Sequence, residues 1–138
     1  MKKISVAAAL GLAASLWVAI PAGAAGKYDG TAALICAAAS VHECAPGEIC
    51  QPQIAEHVGL PTLMRVDFAG NKVHPLEPLA NRDSTIRSVY HVNGRTVVSG
   101  GESGRGWVLA VHEQTGRMSA AVVTDGEGFV IFGQCAVQ

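Results

Sequence analysis

The sequence predicts an all-β fold, an antiparallel up-and-down meander of seven to eight strands that forms a small barrel or half-barrel. Between residues 84 and 135, short apolar runs alternate with glycine-bearing polar turns about once every ten residues, as in chains of hairpins. Within these runs apolar and polar residues alternate, which is typical of strands buried on one face. Consecutive hairpins on a twisted sheet tend to close, which removes exposed edges. A two-sheet β-sandwich has the same strand periodicity and is the alternative.

The first 24 residues have the features of a secretory signal peptide. Two lysines precede an apolar run of 17 residues, and the small residues Ala22-Gly23-Ala24 follow Pro21 as a cleavage site. A membrane anchor is the alternative, but a spanning helix needs about 20 apolar residues. We therefore expect a signal peptide over residues 1–24 and a single disulfide-stapled β domain over residues 25–138.

The mature domain carries a small negative charge. Without the two signal-peptide lysines, eight basic residues face eleven acidic ones, which gives a net charge of −3. A nucleic-acid-binding domain would carry a basic face, so we expect no nucleic-acid partner. No second long apolar segment follows the signal peptide, and we expect no membrane association after cleavage.

The four cysteines, which all lie in the mature part, predict two disulfides. An even count in an exported chain indicates disulfides, although three pairings are open. Proximity across an Ala-Pro-Gly turn favours Cys44 with Cys50, which leaves Cys36 to join Cys135 and tie the first strand to the last. The alternative is a metal site formed by Cys44, Cys50 and His57, but a C-x5-C spacing is unusual for zinc.

The first half of the domain contains less regular elements. Residues 33–38 form a short apolar segment that we interpret as the first strand, continued by residues 41–43, with a helical turn as the alternative. One short helix is predicted near residues 52–58, because Pro52 suits the first helical position and Gly59 suits a left-handed C-terminal cap.

A hairpin is predicted next. Residues 63–68 alternate as a strand, and residues 69–71 form a turn into a return strand. Pro75 and Pro78 are expected to end that strand, because proline cannot donate a hydrogen bond in a central ladder. Residues 75–83 are then the longest irregular stretch.

The second half of the domain supplies the strongest turn signals. Asn93-Gly94 suits a type I′ turn, in which both central residues have positive φ; Gly116 and Asp125-Gly126 mark the next two turns. Ile86, Ser88 and Tyr90 are expected to share one face, and the last strand is expected to be covered on both faces because Val130 and Phe132 are also apolar. The inward sets are Trp107, Leu109 and Val111; Met118, Ala120 and Val122; and Phe129, Ile131 and Cys135.

The glycine-rich residues 100–106 are similar to a phosphate-binding loop but lack its G-K-[ST] ending. A predicted strand, and not a helix, follows them. Without a helix N-terminus, the amides that hold a phosphate are missing. We interpret the segment as a wide hairpin turn and as a candidate interaction loop with Glu102, Ser103, Arg105 and Trp107. Arg105 is interpreted as a solvated loop arginine, with contact to an anionic partner as the alternative. Trp107 is interpreted as a core anchor, with a ligand-stacking ring as the alternative.

The sequence contains no motif with catalytic spacing. No serine lies in G-x-S-x-G, and the five histidines form neither H-x-x-x-H nor H-E-x-x-H. We therefore predict no catalytic residue, no metal ligand and no cofactor. His91 and His112 could approach one another across strands, which leaves a metal-binding or enzymatic role as an alternative.

Several short motifs are spread over most of the mature chain. They are Cys36, Glu43-Cys44-x-Pro46-Gly47-x-x-Cys50, Leu60-Pro61, Arg65-Val66-Asp67, Gly104-Arg105-Gly106-Trp107, Thr115-Gly116-Arg117-Met118 and Gly128-Phe129-Val130-x-Phe132-Gly133-x-Cys135. Together they resemble a group of small exported proteins of Gram-negative bacteria, and the resemblance implies export and shared disulfides, but no activity. At the level of architecture, the chain is also similar to periplasmic β-barrel inhibitors of proteases and lysozymes. The Ser-Gly-x-x-Tyr segment of the lysozyme inhibitors differs here in its aromatic position, which is occupied by Trp107.

These observations lead to one main functional hypothesis. We expect a periplasmic or secreted, non-enzymatic module that binds a protein or small-molecule partner in the envelope. The alternative is an inhibitor of a secreted or envelope hydrolase, a protease or a lysozyme, which would act through a rigid loop that protrudes at residues 102–106.

Overall fold

The computed structural model describes residues 27–77, 79 and 81–138, so the expected signal peptide lies outside the described residues. No helix in this part of the chain is long and apolar enough to cross a membrane. The elements are one 3-10 turn, Ala55–Val58, and nine strands: β1 Leu34–Cys44, β2 Gln51–Gln53, β3 Leu63–Asp67, β4 Lys72–Glu77, β5 Ser84–Val92, β6 Arg95–Glu102, β7 Arg105–His112, β8 Arg117–Val123 and β9 Gly128–Val137.

Eight of the strands form a closed antiparallel barrel, which confirms the predicted fold. The strands β3 to β9 pair in sequence order, and β1 lies between β3 and β9 and closes the sheet. The short strand β2 extends the edge of β1 beyond the point where β3 stops. A single closed sheet is formed, and not the alternative sandwich.

The predicted helix near residues 52–58 is reduced to the single 3-10 turn. Gln51–Gln53 form β2 instead, and Pro52 lies opposite His42 of β1. Proline is tolerated there because β2 is an edge strand, so the missing donor breaks no second ladder. Gly59 ends the turn with a φ of 66°, as the predicted left-handed cap requires.

The prediction that Pro75 ends the return strand is wrong, because β4 continues through it to Glu77. The described part of β4 pairs with β5 only at Lys72–Thr85 and Val73–Ser84. Pro75 lies opposite Met64 of β3 but beyond the described β4–β5 pairs, so its missing N–H breaks none of those pairs. Among the described strand pairs of the barrel wall, β4–β5 has the fewest paired residues.

The predicted turns are confirmed, apart from the width of one. Asn93 and Gly94 have φ values of 48° and 71°, as a type I′ turn requires. The predicted wide turn at residues 100–106 is instead a two-residue connection, in which Ser103 and Gly104 have φ values of 44° and 79°. The first two glycines of that segment lie inside β6.

Burial confirms the inward sets of β7, β8 and β9. Leu109 and Val111 on β7 are 2% and 0% exposed, and the sets on β8 and β9 also belong to or pack against the core. Val130 and Phe132, however, are 37% and 48% exposed, so the prediction that β9 is covered on both faces is wrong. The outer surface of β7–β9 is therefore partly apolar.

A β-bulge changes the predicted faces of β5. The register with β6 shifts between Ile86, which lies opposite Gly100, and Ser88, which lies opposite Ser99. Neighbouring residues on β6 point to opposite faces. Ile86 therefore faces the interior and Ser88 faces outward, whereas the sequence placed both on one face. One inserted residue reverses the alternation for the rest of the strand.

Both predicted disulfides are confirmed. Cys36 and Cys135 lie directly opposite each other on β1 and β9 and are almost fully buried. Cys44 and Cys50 tie the end of β1 to the start of β2. No cysteine of the described chain is free, so the alternative thiolate metal site is not formed. Two disulfides fit an oxidising extracellular compartment.

Candidate functional site: a chamber at one end of the barrel

A chamber inside the barrel arises from one small residue in a layer of large ones. Val98, Leu109, Ala120, Ile131 and Val41 are successive cross-strand neighbours whose side chains face the interior. Because Ala120 has no side chain beyond Cβ, the layer is incomplete beside it. A cavity of about 80 Å³ lies there, and its apolar lining is Leu60, Pro61, Met64, Val73, Pro75, Leu109, Ala120, Val122 and Ile131.

Four polar side chains line the same chamber, and strand register explains how they meet. Glu102 and Arg105 are a cross-strand pair at the β6–β7 turn, and alternation directs both inward with Trp107. Arg82 and Ser84 come from the end of the β4–β5 connection and the first residue of β5. We call Arg82, Ser84, Glu102 and Arg105 the polar mouth.

Hydrogen bonds tie the polar mouth to the 3-10 turn. Arg82 Nε donates to Glu102 Oε1 at 3.0 Å, and Arg82 Nη2 donates to the carbonyl oxygen of Gly59 at 2.9 Å. Arg105 Nη1 donates to the same carbonyl oxygen at 3.1 Å. Gly59 therefore holds both guanidinium groups, and its left-handed backbone conformation is part of the site.

The charges of the polar mouth do not cancel. Two guanidinium groups and one carboxylate give a net charge of +1 at the chamber. Glu102 is neutralised by its ion pair with Arg82, and these side chains are 16% and 35% exposed. The side chain of Arg105 makes one hydrogen bond to the described residues, the bond to Gly59. Most of its N–H donors are therefore available to a ligand.

Glu102 keeps one unused acceptor. Its Oε2 atom is buried and has no hydrogen-bond partner among the described residues. Buried polar atoms in native proteins are usually paired. An unpaired atom beside a chamber therefore marks a place where a bound water or ligand group completes the hydrogen bonding.

Trp107 forms one wall of the chamber and is fixed by two contacts. Its indole Nε1 donates to Ser84 Oγ at 2.6 Å. Its ring lies over Gly100, where a Cβ atom would come within 2.4 Å of the ring and 2.2 Å of the carbonyl oxygen of Thr85. Trp107 packs against the core and also lines the chamber, which combines the position of a core anchor with that of a ring available to a ligand.

The structure separates the four residues of the candidate interaction loop. Glu102, Arg105 and Trp107 converge on the chamber, whereas Ser103 is exposed at the tip of the turn. Arg82 and Ser84 were not predicted as site residues, because no motif marks the end of the irregular stretch where they lie. The cap at Gly59 was predicted, but its role in holding two arginines was not.

His91 and His112 do not form a pair with each other. His91 Nδ1 lies 2.8 Å from Glu113 Oε1, and His112 Nδ1 accepts from the backbone of Gln114 at 3.3 Å. Across residues 27–77, 79 and 81–138, no group of three His, Cys, Asp or Glu side chains could hold a metal ion. No histidine is among the described residues that line the chamber.

The opposite end of the barrel is covered by the segment that precedes β1. The fully buried Thr96 donates through Oγ1 to the carbonyl oxygen of Tyr28 at 2.8 Å, and the Tyr28 N–H donates to the carbonyl oxygen of Glu113. The aromatic ring of Tyr28 packs over Gly116, so closely that a Cβ atom there would lie 2.6 Å from it. The chamber therefore has its polar groups at one end and a packed cap at the other.

One carboxylate beside the mouth is held in its charged form. Asp83, which follows Arg82 in the chain, interacts with His74 Nδ1 at 2.8 Å and with Lys72 at 3.4 Å. The hydrogen bond with His74 and the nearby positive charges hold the pKa of Asp83 below its usual value. Asp83 is exposed and does not line the chamber.

The chamber, with its apolar wall and polar mouth, is the candidate site in the described part of the chain. Its geometry suits capture of a small molecule and contains no nucleophile paired with a base. Comparisons with protein-family models, with curated proteins and with solved structures find no match to this chain.

Proposed function

We propose that the mature domain is an exported, non-enzymatic module that binds a small molecule in the chamber of its barrel. The observation that supports this proposal is an apolar cavity flanked at one end by a few polar groups. Small-molecule sites in proteins have this character, since apolar walls supply affinity and a few polar groups fix orientation.

The chamber volume limits the size of the ligand. About 10–15 Å³ of such a volume holds one water molecule, so 80 Å³ accommodates roughly five to eight non-hydrogen atoms. Drug-sized ligands occupy pockets of about 300–1,000 Å³. The proposed ligand is therefore a small molecule, or a short apolar group that projects from a larger one.

The chamber is built on a rigid frame. The strands close into a barrel, and the disulfide between Cys36 and Cys135 joins its first and last strands. A preformed site loses little conformational entropy when a ligand binds. The two disulfides support a periplasmic or secreted location, where such bonds persist.

A binding role agrees better than an enzymatic one with the groups at the mouth. Ser84, whose hydroxyl lines the chamber, accepts a hydrogen bond from Trp107 and has no basic partner among the described residues. A serine nucleophile needs an adjacent base. Two arginines and an ion-paired glutamate instead provide groups that hold and orient a ligand.

Filling the chamber tests the proposal. Ala120→Leu adds three carbon atoms inside the chamber, whereas Ala121→Leu places the same group at the neighbouring, outward-facing position. We expect 1-hexanol to bind the unaltered protein and the Ala121→Leu variant, and to lose at least tenfold in affinity for Ala120→Leu. Fluorescence of Trp107, the one tryptophan of the mature chain, reports binding directly.

A thermal unfolding scan of both variants shows that each is folded before binding is compared. Equal affinity of all three proteins would mean that the alcohol binds outside the chamber. No binding by any short apolar compound would contradict the proposed function itself.

The alternative function, inhibition of a hydrolase, has no specific observation in its favour. It called for a rigid loop that protrudes at residues 102–106, but the connection has only two residues, and Glu102 and Arg105 turn inward. It stays a prediction, which measured inhibition of a protease or lysozyme by the mature protein would support.

A further inference from the structure

We infer that the chamber selects short-chain monocarboxylates, whose carboxylate is held by Arg105 at the polar mouth and whose apolar chain fills the space beside Ala120. This inference rests on the proposed function, because it names the ligand class of the same chamber. Its starting point is the unequal use of the two arginines.

Arg82 is already committed to the protein. It forms an ion pair with Glu102 through Nε and donates to Gly59 through Nη2. Both bonds are part-buried, and the charge of Arg82 is compensated by Glu102. Arg82 therefore neutralises Glu102 and leaves no unpaired positive charge of its own for a ligand.

Arg105 is the available cation. Its Nη1 is anchored on the carbonyl oxygen of Gly59 at 3.1 Å, and its remaining N–H groups have no hydrogen-bond acceptor among the described residues. A guanidinium group has five donors in a fixed planar arrangement that matches a carboxylate in a bidentate manner. Because one donor is anchored, the guanidinium group is held at the mouth before a ligand arrives.

The remaining charge at the mouth favours an anion over a cation. Once Arg82 and Glu102 are paired, one positive charge is left at the entrance of an apolar chamber. A carboxylate placed against Arg105 brings this charge to zero. An ammonium group would be repelled by Arg105. A neutral alcohol would lack the negative charge that strengthens the hydrogen bonds of a carboxylate to Arg105.

The unpaired Oε2 of Glu102 is the competing feature, because it is an acceptor. It would favour a ligand with a hydroxyl or ammonium group if it governed selectivity. Its carboxylate is, however, already compensated by Arg82, and a single water can complete its hydrogen bonding. An anionic ligand therefore remains favoured, and the choice of head group discriminates between Arg105 and Glu102.

The volume of the chamber limits the length of the ligand's apolar chain. Roughly five to eight non-hydrogen atoms fit the chamber, and the carboxylate itself lies at the mouth. Hexanoate, which has eight non-hydrogen atoms, matches this limit. Longer chains would have to displace core side chains, so affinity should stop rising beyond about six carbons.

The experiment compares three compounds that share one chain and differ in charge. Hexanoate, 1-hexanol and hexylamine are titrated into the mature protein while Trp107 fluorescence is recorded. We expect hexanoate to bind at least about tenfold more tightly than 1-hexanol, a difference of about 1.4 kcal/mol. Hexylamine should bind most weakly, and added salt should reduce the advantage of hexanoate.

Matched variants assign this preference to one residue. Arg105→Gln should abolish the preference, so that the affinity for hexanoate falls to about that of the same variant for 1-hexanol. Arg117→Gln is the control, because it also removes one positive charge. Arg117 is exposed and begins β8, at the end of the barrel away from the polar mouth. If Arg105→Gln does not fold, the comparison of the three compounds on the unaltered protein still decides the question.

Each outcome has a distinct meaning. Equal binding of hexanoate and 1-hexanol would overturn selection of carboxylates but leave the proposed binding function standing. Tightest binding of hexylamine would also overturn it and assign selectivity to Glu102. Failure of all three compounds to bind would contradict the proposed function as well.

Discussion

Gly100→Ala is the substitution that tests most sharply how the chamber wall is built. Gly100 lies opposite Trp107 on β6 and β7. A Cβ atom at this position would lie 2.4 Å from the Trp107 ring and 2.2 Å from the carbonyl oxygen of Thr85. The indole can move only by giving up its bond to Ser84, and the Thr85 oxygen belongs to the backbone of β5.

The expected cost follows from these overlaps. Inserting an extra carbon into a well-packed interior typically costs about 1–3 kcal/mol, and a clash with backbone belongs at the upper end. At about 4 °C per kcal/mol for a domain of this size, Tm should fall by about 10 °C. Trp107 emission should shift at the same time, because the ring is displaced from the chamber.

Gly106→Ala provides the matched control on the same hairpin. Its Cβ atom would meet only Val123 Cγ2, at an ordinary distance of 3.4 Å, so the free energy of unfolding should change by less than about 0.5 kcal/mol. Urea unfolding and thermal scans measure both variants. If Gly100→Ala were as stable as Gly106→Ala, the close packing of Trp107 on β6 would be refuted.

Two further predictions concern the stability of the domain. Replacing Cys36 and Cys135 by alanine opens a loop with a sequence separation of 99 and should cost about 4–5 kcal/mol in urea unfolding, against about 2 kcal/mol for the smaller disulfide, whose separation is 6; equal losses would contradict the loop-entropy argument. The backbone N–H of Gly70 and the guanidinium group of Arg65 lower the pKa of Asp67 from its ordinary value of 3.8. The stability contributed by Asp67 is therefore present above that pH and is lost as the pH falls through the lowered pKa. Asp67→Asn should destabilise the domain more at neutral pH than at a pH below the lowered pKa, and a destabilisation that does not change with pH would disprove the assignment.

Features encoded by neighbouring residues could be predicted from the sequence. Asn93-Gly94 specifies a turn through its own backbone preferences, and strand alternation identified most of the inward side chains, Leu109 and Ile131 among them. The disulfides followed from the number of cysteines and from the proximity of two of them. The all-β class and the barrel are the sum of such local signals.

The polar mouth could not be predicted, because its contacts are long-range. Arg82 meets Gly59 and Glu102 across 23 and 20 residues, and no motif relates these positions. The glycines before Glu102 suggested a loop, whereas Gly100 is required inside a strand by the Trp107 ring. Tertiary packing therefore decided what local sequence left open.

The errors within strands also have physical causes. Pro75 was expected to end β4, but the described β4–β5 pairs already stop at Val73, so the proline interrupts no pairing with β5. On β5, a one-residue bulge reversed the alternation after Ile86. The sequence of one strand alone predicts neither how far a neighbouring strand pairs with it nor where a bulge lies.

The most direct test of the account is a two-dimensional NMR titration of residues 25–138 with hexanoate. Trp107 supplies the one indole N–H signal of these residues, and this N–H donates to Ser84 at the polar mouth. We predict that this signal, the Arg105 side-chain signals and the backbone amides near Ala120 shift together and saturate with a single affinity. Shifts confined to the outer apolar surface around Val130 and Phe132, with the indole signal unmoved, would contradict binding in the chamber.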